Sequence, residues 1–223
     1  MVNWRVLVVG GHTRSIGKTQ LVCDVIRAFP NVDWIAGKIT QYGHGVCAQN
    51  GENCDCAPLE HVCALDWESS VVSGTDSARF LVAGAKRSFW LRTKQGFLAE
   101  GMPLLRKALK DVEKDFDPEQ KRALIVESNS LMQFLKPSLY FAVVDPDKED
   151  FKESAQIALD RANVLVLRGT PKRDGPPAPL WMSLPAKLLR ERPSVLQTEG
   201  ESLPRPLESL VGQMLDDPAG VAL

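Results

Sequence analysis

The chain has 223 residues, of which 44% are apolar, so it is long enough for one domain with a substantial core. Lys plus Arg number 27 and Asp plus Glu number 28, and this net charge of −1 argues against a broad surface for nucleic acid or anionic membrane. No apolar run approaches the roughly 20 residues that span a bilayer, and the first residues lack the pattern of a secretory signal. We therefore expect a single cytoplasmic domain over 1–223, in which thiols stay reduced.

Short apolar runs alternate with helical patterns along the chain. The sequence predicts strands at 4–10, 33–39, 88–94, 122–128, 139–145 and 163–169. It predicts helices at 18–29, 76–86, 98–114, 129–135, 151–161 and 182–191. Strands that are apolar at consecutive positions are typical of a parallel sheet covered on both faces. The alternation therefore predicts a doubly wound α/β fold, with a mainly parallel sheet and helices on both faces.

Several segments depart from this alternation. Residues 41–68 are rich in Gly, Cys and His, and residues 170–181 are rich in proline. Loops of this length in a compact domain are usually functional or disordered. The charged stretch at 145–154 is expected to be a loop and helix start on a solvated face. From about residue 194 we expect an edge strand, a closing helix and a frayed tail.

The run VLVVGGHTRSIGKTQLV, at 6–22, nearly matches the phosphate-binding pattern G-x-x-x-x-G-K-[ST]. Counting back from the Gly-Lys-Thr at 17–19, the first glycine would fall at His12, so the loop that begins at Gly11 is one residue longer than the common form. A strand leads into the glycines and a helix opens at Lys18, an arrangement that presents backbone N–H groups to a phosphate. The alternative is a glycine-rich turn with an incidental Gly-Lys-Thr. The predicted nucleotide-binding residues are Gly11, His12, Thr13, Arg14, Ser15, Ile16, Gly17, Lys18, Thr19 and Gln20.

The lengthened loop resembles that of dethiobiotin synthetase, in the branch of P-loop proteins that includes the MinD and nitrogenase-iron-protein ATPases. In that enzyme the second strand ends in a lysine near the phosphates, and IAGKIT places Lys38 there. A later aspartate and a glutamate at a strand end correspond to Asp76 in GTDSARF and Glu127 in LIVESNS. The resemblance implies that Lys18 and Lys38 are catalytic, and that Thr19, Asp76 and Glu127 hold Mg²⁺.

A second resemblance is to accessory protein B of molybdopterin-guanine dinucleotide biosynthesis, a small GTP-binding relative. GKITQYGHG at 37–45 is similar to its strand-two lysine and His-rich loop, and GTDSARFLVAGAKRSFWL at 74–91 is similar to its D-S-x-R…A-G-A segment. These matches cover roughly residues 5–130. The chain departs from that family because its loop is longer and Glu127 is followed by Ser-Asn-Ser instead of glycine. No Asn-Lys-x-Asp follows the sixth strand, so ATP and GTP both stay open, and RGTPKRD at 168–174 is the candidate base contact.

Each of these site residues also has a simpler interpretation. Lys38 would then be a solvated strand end, and Asp76 a plain helix N-cap. Asp150 stands at a similar N-cap position before a predicted helix. Glu127 ends a strand that should otherwise be buried, so a purely structural role is less favoured for it.

The segment GHGVCAQNGENCDCAPLEHVC, at 43–63, holds four cysteines spaced C-x6-C-x-C-x6-C. Four thiols so close together in a reducing compartment predict a metal site. Zn²⁺ is the first choice because it takes four thiolates and would fold the loop, an iron–sulfur cluster is the second, and free thiols are the third. Cys23 lies on the first helix and is expected in the core. The predicted ligands are Cys47, Cys54, Cys56 and Cys63, with His44 and His61 as substitutes or hydrogen-bonding neighbours.

Three functions fit this combination of signals. The first is an accessory protein of cofactor or metal-centre biosynthesis that binds GTP or ATP with Mg²⁺, hydrolyses it slowly and serves a partner enzyme. The second is an ATP-dependent ligase or kinase similar to dethiobiotin synthetase. The third is a nucleotide-switched metallochaperone. The relatives imply a homodimer. Because the cysteine loop follows Lys38 at the sheet edge where ligands bind, nucleotide state and loop geometry are expected to be coupled.

Overall fold

The computed structural model describes residues 3–43, 62–117, 119–168, 191–198 and 200–222. Its strands are β1 (Asn3–Gly11), β2 (Asp33–Tyr42), β3 (Cys63–Trp67), β4 (Arg87–Lys94), β5 (Arg122–Glu127), β6 (Leu139–Val144), β7 (Val164–Leu167), β8 (Ser194–Leu196) and β9 (Val221–Ala222). Its helices are α1 (Lys18–Ala28), α2 (Asp76–Val82), α3 (Leu98–Val112), α4 (Glu153–Leu159) and α5 (Arg205–Asp216). Among the described residues, no helix is long and apolar enough to cross a membrane.

The strands form one sheet in the order β3-β4-β2-β5-β1-β6-β7-β8, with β9 beside the start of β1. All neighbours are parallel except β3 with β4 and β9 with β1. The phosphate-loop strand β1 therefore lies inside the sheet, between β5 and β6. This arrangement confirms the predicted α/β fold with a mainly parallel sheet.

Helices cover both faces of the sheet, as the consecutive apolar residues of its strands predict. Side chains of α1, α2 and α5 pack on one face, and those of α3 and α4 pack on the other. The central strands are buried on both sides; Leu7 and Val8, which point to opposite faces of β1, are both 0% exposed. Full burial of such a side chain stabilises the fold by about 1.5–3 kcal/mol. The core therefore fixes β1, and with it the position of the loop that follows.

The strand β3 was not predicted. It lies within 41–68, where the sequence shows no clear period, while the first residues of that range extend β2 to Tyr42. Five residues at the sheet edge, paired on one side only with β4, are too few and too exposed to give a strong pattern. The predicted loop is therefore shorter than the composition suggested, and residues 44–61 lie outside the described part of the chain.

Other boundaries differ for local reasons. The helix predicted at 76–86 ends at Val82, because Gly84 adopts a left-handed φ of 111° and the chain turns into β4. The helix predicted at 129–135 is a short 3₁₀ turn, Ser130–Gln133. The expected frayed tail is wrong for 221–222, which pair with β1. The proline-rich loop at 170–181, and the helix predicted at 182–191 apart from its last residue, lie outside the described residues.

Candidate functional site

The predicted phosphate loop joins the carboxyl end of β1 to the first turn of α1. Gly17, just before the helix, has a left-handed φ of 82°, which favours glycine. A Cβ at that position would also lie 2.9 Å from Nε of Arg168. The backbone conformation and the packing therefore both require glycine before Lys18.

Asn129 anchors the other end of the loop. Its Oδ1 accepts a hydrogen bond from the Gly11 N–H at 2.8 Å, and its Nδ2 donates to the Gly11 carbonyl at 2.8 Å. A Cβ on Gly10 would lie 2.4 Å from the same Oδ1, so only glycine at this position leaves room for the Asn129 side chain. The sequence signal for this contact is the polar Ser-Asn-Ser after the buried strand β5, but the sequence alone predicts no role for Asn129.

Four of the predicted side chains meet where the carboxyl end of β5 lies beside the middle of β2. The register of these parallel strands pairs Lys38 with Glu127, and their charged atoms are 3.8 Å apart. Lys38 also forms a close ion pair with Asp76, the first residue of α2. The Thr19 hydroxyl, in the first turn of α1, donates to Oε2 of Glu127 at 2.6 Å. We call Thr19, Lys38, Asp76 and Glu127 the carboxylate cluster.

The carboxylate cluster is charge-stabilised from within. Burial alone would raise the pKa of Asp76, but the charge and hydrogen bond of Lys38 outweigh it and hold that pKa below its usual value. Burial alone would lower the pKa of Lys38, but Glu127 and Asp76 raise it above its usual value. Lys38 and Asp76 are therefore both charged at neutral pH.

Asp76 does not act as the N-cap of α2. That place belongs to Thr75, whose Oγ1 accepts a hydrogen bond from the Ala78 N–H at 3.1 Å. The Asp76 side chain is directed to Lys38 and Arg79. The simpler interpretation of Asp76 as a plain cap is therefore wrong, since a neighbouring threonine does that work.

Glu68 organises the turn that leads into α2. Its carboxylate accepts hydrogen bonds from the Ser70 N–H at 3.0 Å and from the hydroxyls of Ser73, Thr75 and Ser77 at 3.2, 2.7 and 2.9 Å. Burial would raise its pKa, but these donors outweigh burial and lower the pKa to about 2. The turn thus fixes the start of α2, where Asp76 lies.

Lys18 bends back over its own loop. Its Nζ donates to the Thr13 carbonyl at 2.6 Å. Burial lowers its pKa, and the positive charge of Lys38 adds to that effect, while Glu127 and Asp76 oppose it. Lys18 therefore lies within electrostatic reach of the carboxylate cluster.

The segment that follows β6 packs on the first half of the loop. We call residues 145–152 the overlying segment. His12 is 1% exposed, and its Nδ1 accepts from the Asp145 N–H at 3.4 Å while Nε2 lies 3.3 Å from the Lys148 carbonyl. Burial lowers the pKa of His12, so the ring is neutral and its proton lies on Nε2, where it can donate.

Three further hydrogen bonds hold the overlying segment in place. The Lys152 N–H donates to the His12 carbonyl at 2.8 Å, and the Lys148 Nζ donates to the Ser15 carbonyl at 2.9 Å. The Thr13 hydroxyl donates to the carboxylate of Asp150. Asp147, Glu149 and Asp150 are exposed, as expected for a solvated charged face, but these contacts with the loop were not expected. Asp150 is not an N-cap either, because α4 begins after Lys152.

Arg168 occupies the opposite end of the loop. It is 7% exposed, and its Nη2 donates to the Gly17 carbonyl at 2.9 Å. It is the first residue of the stretch 168–174 that we named as the candidate base contact, and 169–174 lie outside the described residues. The loop is thus held at one end by Arg168 and at the other by the overlying segment.

Most of the predicted cysteine site lies beyond the described residues, including Cys47, Cys54, Cys56, His44 and His61. Cys63 opens β3 as a partly exposed free thiol, on the sheet face covered by α3 and opposite to that of Lys38. In the described ranges, no group of three or more His, Cys, Asp or Glu residues is arranged to hold a metal. Cys23 is 1% exposed, and burial raises the pKa of its thiol to about 11, consistent with a core residue.

Comparisons with known proteins give distant likenesses only. No family profile and no curated protein matches the chain. A solved structure of HypB from Helicobacter pylori in complex with nickel is similar with 12% identity and a TM-score of 0.49, over 98% of this chain and 90% of that one. A zinc-bound triple mutant of the GTPase YjiA is similar with 14% identity and a TM-score of 0.42, over 98% of this chain and 65% of that one. Because both scores are below 0.5, neither likeness bears on what this chain binds.

Proposed function

We propose that this chain binds a nucleoside triphosphate with Mg²⁺ at the loop between β1 and α1, and hydrolyses it slowly. The observation that carries the proposal is the convergence of Thr19, the residue after Lys18 in the loop, with Lys38, Asp76 and Glu127 beside the carboxyl end of β5. These residues come from separate parts of the sequence, yet they meet where open parallel sheets bind their ligands.

The donor set suits Mg²⁺. This ion prefers oxygen ligands, takes few carboxylates and keeps several of its waters. The Thr19 hydroxyl lies 2.6 Å from Oε2 of Glu127, and Asp76 is in the same cluster, so the three can hold the ion directly or through water. Bound Mg²⁺ would neutralise charge that develops on the phosphates.

The two lysines take the remaining phosphate charge. Lys18 would exchange its bond to the Thr13 carbonyl for β- and γ-phosphate oxygens. Lys38 is paired with Asp76 and Glu127, and it would turn to phosphate when Mg²⁺ occupies those carboxylates. Backbone N–H groups of 13–19 would bind the remaining phosphate oxygens.

The decisive experiment is calorimetric titration of the intact protein with ATP and GTP in the presence of Mg²⁺. Lys18→Ala should weaken binding about 100-fold, because a buried charge-assisted contact is lost. Lys107→Ala, an exposed lysine of α3 on the other face of the sheet, is the matched control and should bind normally. Wild-type protein that binds neither nucleotide, or Lys18→Ala with full affinity, would contradict the proposal.

For the cellular role, we favour an accessory protein of cofactor or metal-centre biosynthesis with a cysteine-ligated metal, acting as a homodimer with a partner enzyme. The support is the pairing in one chain of a phosphate loop with Cys47, Cys54, Cys56 and Cys63. Zn²⁺ is the first candidate for the metal and an iron–sulfur cluster the second. A small-molecule ligase or kinase, and a nucleotide-switched metallochaperone, are the other candidate roles.

Elemental analysis of protein purified without oxygen distinguishes these roles. About one zinc per chain, lost in the Cys54→Ser, Cys56→Ser double variant, supports a thiolate site. Iron with sulfide and visible absorption favours cluster chemistry instead. Metal that leaves when nucleotide is added favours the chaperone, and protein with no metal favours the ligase or kinase.

A further inference from the structure

The overlying segment brings two lysines, Lys148 and Lys152, to the phosphate loop. The Lys152 backbone is fixed there, because its N–H donates to the His12 carbonyl at 2.8 Å. Neighbouring residues of the segment bind the loop through Thr13 and Ser15. The position of Lys152 relative to the loop therefore does not depend on its own side chain.

The Lys152 ammonium lies in positively charged surroundings. Burial lowers its pKa, and the charges of Lys18 and Arg14 lower it further, to about 8, while Asp150 and Glu127 oppose them. Within the described part of the chain, the Lys152 ammonium forms no ion pair or hydrogen bond, and the carboxylate of Asp150 is bound by Thr13. Positive charges that lie close together in a partly buried site repel one another. An anion bound among them removes this repulsion.

The position of Lys152 along the loop indicates which phosphate of the nucleotide its ammonium would contact. Lys18 reaches the β- and γ-phosphates in loops of this kind. Lys152 is held at the start of the loop and lies within electrostatic reach of Lys18 and Glu127. Arg168 and Gly17 lie at the other end, near the start of α1. The neighbours of Lys152 are therefore those of the terminal phosphate.

We propose that Lys152 binds the terminal phosphate of the nucleotide, as a further ammonium beside Lys18 supplied by the same chain. This rests on the proposed function. It also relates to the one-residue extension of the loop, because the loop residues His12, Thr13 and Ser15 all bind the overlying segment. A cation supplied in cis at this phosphate stabilises the charge of the transition state.

Equilibrium binding of a non-hydrolysable nucleoside triphosphate and of the matching diphosphate, both with Mg²⁺, tests the assignment. Lys152→Met keeps the backbone bond to His12, and no side-chain cap is lost because Lys152 makes none. The variant should bind the triphosphate about tenfold more weakly than wild type, while its affinity for the diphosphate should change less than twofold. Lys152→Arg should restore triphosphate binding, and Lys107→Met is the control for loss of one surface charge.

The outcomes separate this inference from the proposed function. Lys152 does not bind the terminal phosphate if Lys152→Met prefers the triphosphate over the diphosphate as strongly as wild type does. The same conclusion holds if Lys152→Met lowers the affinity for both nucleotides by the same factor. If wild type binds neither nucleotide, the proposed function fails first.

A second measurement keeps the assignment testable in that case. Pyridoxal phosphate followed by borohydride should label Lys152 preferentially, and inorganic tripolyphosphate should protect it. Labelling that tripolyphosphate leaves unchanged would overturn the inference independently of any nucleotide.

Discussion

Charged side chains of two groups act on Lys18, and the two groups differ in their balance of positive and negative charge. In the carboxylate cluster, Lys38 is paired with Asp76 and Glu127, so opposite charges meet. In the basic group, formed by Arg14, Lys148 and Lys152, burial and then the charges of Lys18 and Arg14 lower the pKa of Lys152, while Asp150 and Glu127 oppose them. Lys148 donates to the Ser15 carbonyl of the loop. Both groups affect Lys18: burial, Lys38 and Lys148 lower its pKa, while Glu127 and Asp76 raise it.

The difference suggests that each group serves one part of a metal–nucleotide complex. Carboxylates with a hydroxyl are suited to a cation, which can replace the lysine that pairs with them. Ammonium and guanidinium groups are suited to the phosphates. A metal–nucleotide complex has a cation at one end and anionic oxygens at the other. A carboxylate cluster next to a basic group is complementary to such a ligand.

The largest effect is expected from removing one negative charge of the carboxylate cluster. Glu127→Gln keeps an acceptor for the Thr19 hydroxyl but removes one negative charge, so the Mg²⁺ concentration for half-maximal nucleotide binding should rise on the order of 10- to 100-fold. Titration of Mg²⁺ at fixed nucleotide measures this. Asp66→Asn, at an exposed carboxylate on β3, is the control and should leave the Mg²⁺ dependence unchanged. A normal Mg²⁺ dependence in Glu127→Gln would remove this residue from the metal site.

The second effect concerns the basic side and depends on pH. The pKa of Lys152 is lowered to about 8 by burial and by the facing charges of Lys18 and Arg14, against the opposing pull of Asp150 and Glu127. Its charge is therefore present below that pH and lost above it. Triphosphate affinity of wild type should fall about fivefold more between pH 7 and 9 than that of Lys152→Arg, whose guanidinium stays charged. Identical pH profiles would show that Lys152 does not titrate against the phosphate.

A smaller effect tests how the balanced side is positioned. Thr75→Ala removes the N-cap of α2, which carries Asp76, and should lower the free energy of unfolding by about 1 kcal/mol. Urea denaturation measures this change. Ser73→Ala, which loses a bond to Glu68 but no cap, should cost less. Equal losses in the two variants would show that the cap contributes nothing of its own.

The smallest effect comes from Glu68, which fixes the same turn. Its folded pKa of about 2 is depressed from the usual 4.5, so its contribution to stability is present above pH 4.5 and disappears as pH falls toward 2. Glu68→Gln should therefore be slightly less stable than wild type at neutral pH, and the two should converge in acid. Thermal unfolding between pH 7 and 2 checks this; a constant difference across that range would mean that the charge of Glu68 is not involved.

The carboxylate cluster and the basic group also differ in how far the sequence alone predicted them. Lys38 interrupts an apolar strand, Glu127 ends one, and Thr19 follows a glycine-rich loop, so each differs clearly from its neighbours along the chain. Lys152 lies in the charged run at 145–154, where charge is expected on any exposed surface. Its significance depends on which loop that run contacts, and local pattern does not contain that information. Asn129 was missed for the same reason.

The sequence by itself determined the alternation of strands and helices, the loop before Lys18 and the candidate residues at the strand ends. These follow from local rules, because burial on both faces of a parallel strand and the backbone needs of a phosphate loop leave their mark within a few residues. The tertiary structure alone decided that β1 lies between β5 and β6, so that Asn129 and the overlying segment both reach the loop. Strand order depends on packing between residues more than 100 positions apart, and for that reason the charge balance around Lys18 could only be read from the folded chain.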